Sequence, residues 1–168
     1  MMEKIQPAGR TEKIRYAVRD VLLLADEVAA AGKEMTYLNI GDPNRFDFRT
    51  CPRIIEAVCR AMKANYNGYA PSSGVEEARE AIGANARRDG IENIRDVFIT
   101  TGGSEAIDIC LTALVNPGEN VLIPSPGYPL YSALINKLNG EPRPYYLDEE
   151  DGWRPDLDDI AAKIDART

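Results

Sequence analysis

The chain has 168 residues, 44% of them hydrophobic and 28% charged, with a net charge of −7. That balance suits a globular domain with a real core, and the acidic excess argues against a nucleic-acid surface, which needs basic patches. Histidine is absent, which removes Ser–His and Cys–His catalysis and the commonest metal ligand. Proton chemistry must then use Lys, Asp, Glu, Tyr or a cofactor.

No apolar run approaches the ~20 residues of a membrane span. The opening stretch, MMEKIQPAGRTEK, lacks the apolar centre of a signal peptide. Cys51, Cys59 and Cys110 are odd in number and not spaced as a zinc or disulfide motif. These features lead us to expect a cytoplasmic protein with reduced thiols.

Residues 13–31 read as an amphipathic helix, with Ile14, Ala17, Val18, Val21, Leu22 and Ala25 at helical spacing. Tyr16 lies near its start and by periodicity alone is a packing aromatic. Thr36 to Ile40 reads as a short strand entering the turn Gly41-Asp42-Pro43-Asn44. Arg53 to Ala64 is a helix. Tyr69 sits in a loop that no periodicity explains. Ser73 with Glu76 has the spacing of a capping box for a helix over 75–89.

The stretch from Val97 to Tyr131 organises the chain. Val97 to Thr100 predicts a short buried strand. Gly102-Gly103 allows a tight turn, and Ser104 opens a helix. Such a turn delivers N–H groups at a helix N-terminus, where a phosphate can dock. A second strand, Asn120 to Pro124, ends in Ser125-Pro126-Gly127-Tyr128-Pro129. Two prolines fix the backbone around Tyr128, so its ring can be presented rigidly to a flat ligand. The turn is neither a dinucleotide fingerprint nor a P-loop, and by itself is equally compatible with a plain glycine turn.

Leu130 to Leu138 then predicts a helix, Pro142 to Leu147 a strand, and Leu157 to Ile164 a final helix opened by Pro155 and Asp156. The acidic turn 148–152 reads as a solvated face, and no metal site is expected. Alternation of helix and strand predicts an α/β three-layer sandwich with a mainly parallel sheet. Both Gly102-Gly103-Ser104 and Tyr128 fall at strand carboxyl ends, where ligands sit in such sheets.

Several stretches in order carry a resemblance: Leu38-Asn39-Ile40-Gly41-Asp42-Pro43, Tyr69 with Gly74, Gly103-Ser104-Glu105-Ala106, Pro117-Gly118-Glu119, and Ser125-Pro126-Gly127-Tyr128-Pro129. Together they resemble the class I/II aminotransferases, pyridoxal-phosphate enzymes of fold type I, and most of all the alanine/aspartate group of archaea and bacteria. The resemblance implies an N-terminal arm with part of the small domain over 1–48, and the first portion of the cofactor-binding large domain over 49–168. It implies that Gly103 and Ser104 hold the cofactor phosphate and that Tyr128 stacks on the pyridine ring. Tyr69 would reach the phosphate of the neighbouring subunit in a homodimer. Gly41, and less directly Tyr16, would line the substrate side. The implied substrates are a small amino acid, of alanine or aspartate type, and a 2-oxo acid.

The resemblance also implies residues this chain does not contain. The family's asparagine and aspartate–tyrosine pair at the pyridine ring, its Schiff-base lysine and its carboxylate-binding arginine would lie past Thr168. None of Lys4, Lys13, Lys33, Lys63, Lys137 or Lys163 has the S-x-x-K setting. The expectation is an N-terminal fragment, inactive alone, with no catalytic residue of its own and with unpaired sheet edges and exposed apolar faces. A lyase or synthase of the same fold, or a non-catalytic module joining full-length subunits, are the alternatives.

Overall fold

A computed structural model describes residues 5–14, 17–39 and 41–168. The chain divides into two compact units, Met1–Asn39 with Gly102–Thr168, and Ile40–Thr101.

The first unit carries α1 (Ala17–Ala30), α4 (Gly103–Leu114), β1 (Asn120–Ser125), α5 (Pro129–Lys137), β2 (Glu141–Asp148), β3 (Arg154–Pro155) and α6 (Leu157–Lys163). A 3-10 turn at Gly9–Lys13 precedes α1. β1 and β2 pair in parallel, from Asn120 opposite Glu141 to Ser125 opposite Tyr146, with α5 as the crossover. β3 adds a two-residue antiparallel rung to β2. The sheet is therefore mixed, and the fold class is α/β as the sequence predicts.

The strand prolines show why this register is stable. The Glu141 N–H donates to the Glu119 carbonyl at 2.8 Å. Alternation then turns the backbone groups of Val121 and Ile123 toward β2, and those of Leu122 and Pro124 toward the opposite edge. On β2 the same parity turns Pro142 and Pro144 away from β1. All three prolines thus place their donorless nitrogen outside the β1–β2 ladder, the position a sheet tolerates. The outer edge of β2 is covered by the α6 segment. Lys163 Nζ donates to the Pro144 carbonyl at 2.6 Å, and the Tyr146 N–H donates to Asp159 Oδ2 at 2.8 Å. Asp156 caps α6, accepting from the Asp158 and Asp159 N–H groups.

Core burial centres on α5. Ile135 is wholly buried and Ala133 nearly so, packed among β1, β2, α4 and the Gly9–Lys13 turn. α4 and α5 are braced by Lys137 Nζ, which donates to both carboxylate oxygens of Asp108 at 2.9 and 2.7 Å.

The second unit carries α2 (Pro52–Lys63) and α3 (Glu76–Arg88), with a 3-10 turn at Pro43–Arg45. α2 has Pro at its first position, where a missing N–H costs nothing. None of its residues is buried, and Ile54, Ile55, Val58 and Met62 are each at least half exposed. They form an uncovered apolar stripe.

Three local expectations fail. The predicted strand over 97–100 is not assigned as a strand, because its backbone bonds go elsewhere. The Ile99 N–H donates to the Ser73 carbonyl at 2.9 Å, and the Val97 carbonyl accepts from Arg79 Nε at 2.9 Å. A strand exists only by pairing, and no neighbouring strand of the described residues takes these groups. The expected strand at Thr36 to Ile40 is likewise absent over 36–39, and Ile40 lies outside the described residues. The Ser73–Glu76 capping box does not form, since α3 starts one residue later from Val75, with no side-chain cap.

Candidate functional site

β1 ends at Ser125, and the Ser125–Pro126 bond is cis. Gly127 leads to Tyr128, the N-cap residue of α5, with Pro129 at the first helical position. The Tyr128 ring is half exposed and meets Tyr131 edge-to-face, centroids 6.0 Å apart. One turn of helix thus supports the ring while leaving it surface to offer.

α4 starts at Gly103 from Gly102, whose φ of 80° and ψ of 170° lie in a region open essentially to glycine alone. Gly102 supplies no side-chain cap, so the first-turn N–H groups of α4 are not claimed by an N-cap oxygen. Ser104, second in the helix, is exposed with its neighbours Gly102 and Gly103. An exposed N-terminus with a hydroxyl in its first turn suits an oxyanion, to which the helix dipole contributes about 0.3–1 kcal/mol. Glu105 in that turn opposes part of this.

Gly103, Ser104 and Tyr128 therefore share one unit and stand on two helices that pack together. Gly41 and Tyr69 belong to the other unit. Tyr69 is wholly exposed, and Gly41 lies on the surface with open space around it. Tyr16 lies outside the described residues.

Two features escape the sequence reading. Tyr131 supports the Tyr128 ring, and the Asp108–Lys137 brace joins residues 29 apart in the chain. Neither has a local sequence signal. A hollow of about 540 Å³ runs beside β1, lined by Ile107, Cys110 and Leu111 of α4, Val121 and Ile123 of β1, and Ile135 of α5, among others. Gly103, Ser104 and Tyr128 do not line it.

Two of the perturbed carboxylates lie elsewhere. Hydrogen bonds from the Asn116 backbone and side chain hold the Glu119 carboxyl below its usual range. Asp165 is held low by the Arg167 N–H, Arg143 and Asn120. Both sit near the start of β1, away from Ser125, and their partners are structural. No group of three or more potential metal ligands occurs among the described residues. No helix of the described residues is long and apolar enough to cross a membrane.

Residues 33–168 match the family "Aminotransferase class I and II". The chain is 36% identical over 170 residues to the glutamate-pyruvate aminotransferase AlaA of Escherichia coli, across 99% of this chain and 42% of the relative. It is 35% identical to human tyrosine aminotransferase, across 98% of this chain and 37% of that protein. Its fold superposes on an alanine aminotransferase from Pyrococcus furiosus with a TM-score of 0.89 and 39% identity, covering 97% of this chain and 42% of the other. The chain thus spans about two fifths of the length of these relatives, and it belongs to the class I and II aminotransferases.

Proposed function

We propose that this chain is the N-terminal part of a pyridoxal 5'-phosphate-dependent aminotransferase that moves an amino group between a small amino acid, of alanine or aspartate type, and a 2-oxo acid. The observation that carries the reading is the start of α4, where a glycine-only backbone at Gly102 opens an exposed helix N-terminus with Ser104 in its first turn. The Gly103 and Ser104 amides and the Ser104 hydroxyl would hold the cofactor phosphate. Tyr128, backed by Tyr131, would lie against the pyridine ring. The cofactor supplies the electron sink for amino-group chemistry.

Gly41 and Tyr16 would border the substrate, and Tyr69 would donate to the phosphate of a partner subunit in a cytoplasmic homodimer. The same reading assigns 1–48 to an N-terminal arm and part of a small domain, and 49–168 to the large domain. None of the chain's lysines has the setting of the cofactor-anchoring base, and there is no histidine to replace it. The polypeptide by itself is then inactive.

Equilibrium dialysis tests the phosphate site. Pyridoxal 5'-phosphate should bind and pyridoxal should not, and Ser104→Ala should weaken binding about fivefold, the loss of roughly one hydrogen bond. Equal retention of the two vitamers would sink the assignment, and robust transaminase turnover would sink the inactivity. The exposed stripe on α2 favours a second reading, a non-catalytic module that joins full-length subunits. Co-purification with a full-length aminotransferase, lost on Val58→Asp, would support it.

A further inference from the structure

We propose that Lys137 sets the affinity of the α4 N-terminus for a phosphate ester by neutralising Asp108, one helical turn behind Ser104; this rests on the reading of that N-terminus as the phosphate site. Ser104 and Asp108 are four residues apart in α4. They share a helix face and lie about 6 Å apart along the axis. Helical side chains lean toward the N-terminus, which carries the Asp108 carboxylate toward Ser104 and not away from it. Left alone, a carboxylate there repels a dianion docked on the Gly103 and Ser104 amides. Glu105 in the first turn already opposes an anion, so a second uncompensated carboxylate would offset more of the helix dipole's pull.

Lys137, the last residue of α5, removes that repulsion. Its Nζ donates to both Asp108 oxygens, at 2.9 and 2.7 Å. The neutral Thr112 hydroxyl reaches Asp108 Oδ1 only at 3.5 Å. Among the described residues, Lys137 is thus the cation that pairs with Asp108. The two side chains are 47% and 35% exposed, and ion pairs so exposed add little to stability. What the pairing does change is the charge that a ligand meets at the head of α4. With Lys137 in place the two charges cancel, and without it one negative charge faces the phosphate. Both residues belong to the unit that holds Ser104 and Tyr128. Lys137 would thereby sharpen the preference for a phosphorylated ligand over its free alcohol.

Equilibrium dialysis of the chain and three variants tests this, at about 10 mM salt where the Debye length is about 30 Å. The probe is pyridoxine 5'-phosphate, which lacks the aldehyde and so forms no imine with surface lysines. One unit charge roughly 9 Å from a doubly charged phosphate changes affinity about fivefold at the dielectric of water. Lys137→Met should therefore bind about fivefold more weakly, and Asp108→Asn, which leaves the ammonium unopposed, about fivefold more tightly. The double variant should bind like the parent. All three differences should shrink at about 0.15 M salt, where the Debye length falls to about 8 Å. A brace acting only through packing gives another pattern, in which both single variants bind more weakly and the double is no better. That pattern, or equal affinity in all four proteins, overturns the proposal. Should Lys137→Met fail to fold, Asp108→Asn decides alone, because lost packing does not raise affinity. A parent chain that holds pyridoxine as well as pyridoxine 5'-phosphate overturns the reading of the α4 N-terminus and the proposal together. A parent that discriminates, with variants that match it, overturns the proposal alone.

Discussion

The side-chain amide of Asn120 donates to Asp165 Oδ1 at 2.9 Å, linking the first residue of β1 to the segment after α6. Asn120 is 3% exposed, and its other side-chain atom accepts from Thr168 Oγ1 at 2.8 Å. A buried amide with both ends satisfied specifies one docking of that segment. Asn120→Ala takes one hydrogen bond from Thr168 and one of several donors from Asp165. The expected cost is about 1–3 kcal/mol, read as a lower urea midpoint. A midpoint equal to the parent's would show that the clasp is incidental.

Asp165 also sets a pH dependence. It accepts from the Arg167 N–H at 2.8 Å and from Arg143 at 3.0 Å, and these donors, with Asn120, hold its carboxyl far below the usual range. Asp96 and Asp159 are lowered too, chiefly by the Val97 N–H and by Lys163 respectively. A carboxylate whose folded pKa is depressed stabilises the fold above its unfolded pKa of about 3.9. That contribution fades as pH falls below it. With no histidine to titrate, stability should be level from about pH 5 to 8 and decline below about pH 4. Asp165→Asn should flatten the acid decline in urea midpoints. An unchanged acid slope would exclude Asp165 as its source.

Gly102→Ala should destabilise although there is room for the methyl group. No atom lies within 4 Å of the added Cβ, yet φ is +80°. The cost is backbone strain, about 1–3 kcal/mol. Gly103→Ala, without that φ, should be close to neutral. Equal midpoints for the two variants would refute the argument, and the Gly102 variant should also bind pyridoxal 5'-phosphate more weakly.

Gly74→Ala combines both penalties in the second unit. Its φ is +102°, and an added Cβ would overlap the Ile99 side chain, lying 2.7 Å from Ile99 Cβ. Adding Ile99→Ala relieves part of the overlap and none of the strain. The double variant should therefore lose less than the sum of the two single losses in a urea or proteolysis assay. Additive losses would mean that the loop shifts to accommodate the methyl.

Local chemistry made much of this protein legible in its sequence. Apolar periodicity and glycine or proline punctuation located α1 through α6 to within a few residues, β1 was readable as an apolar run, and β2 as a segment between two turns. The glycine turn at the start of α4 and the proline-flanked Tyr128 were legible because each rests on short, contiguous backbone geometry. What pairs with what was not. Val97 to Thr100 looks like a strand, but strand character requires a neighbour, and its bonds go to Ser73 and Arg79. Only tertiary structure decided that Asp108 meets Lys137 and that Asn120 grips Asp165. Those outcomes rest on residues far apart in the chain, and no local periodicity encodes a contact whose partner lies beyond one helix or strand.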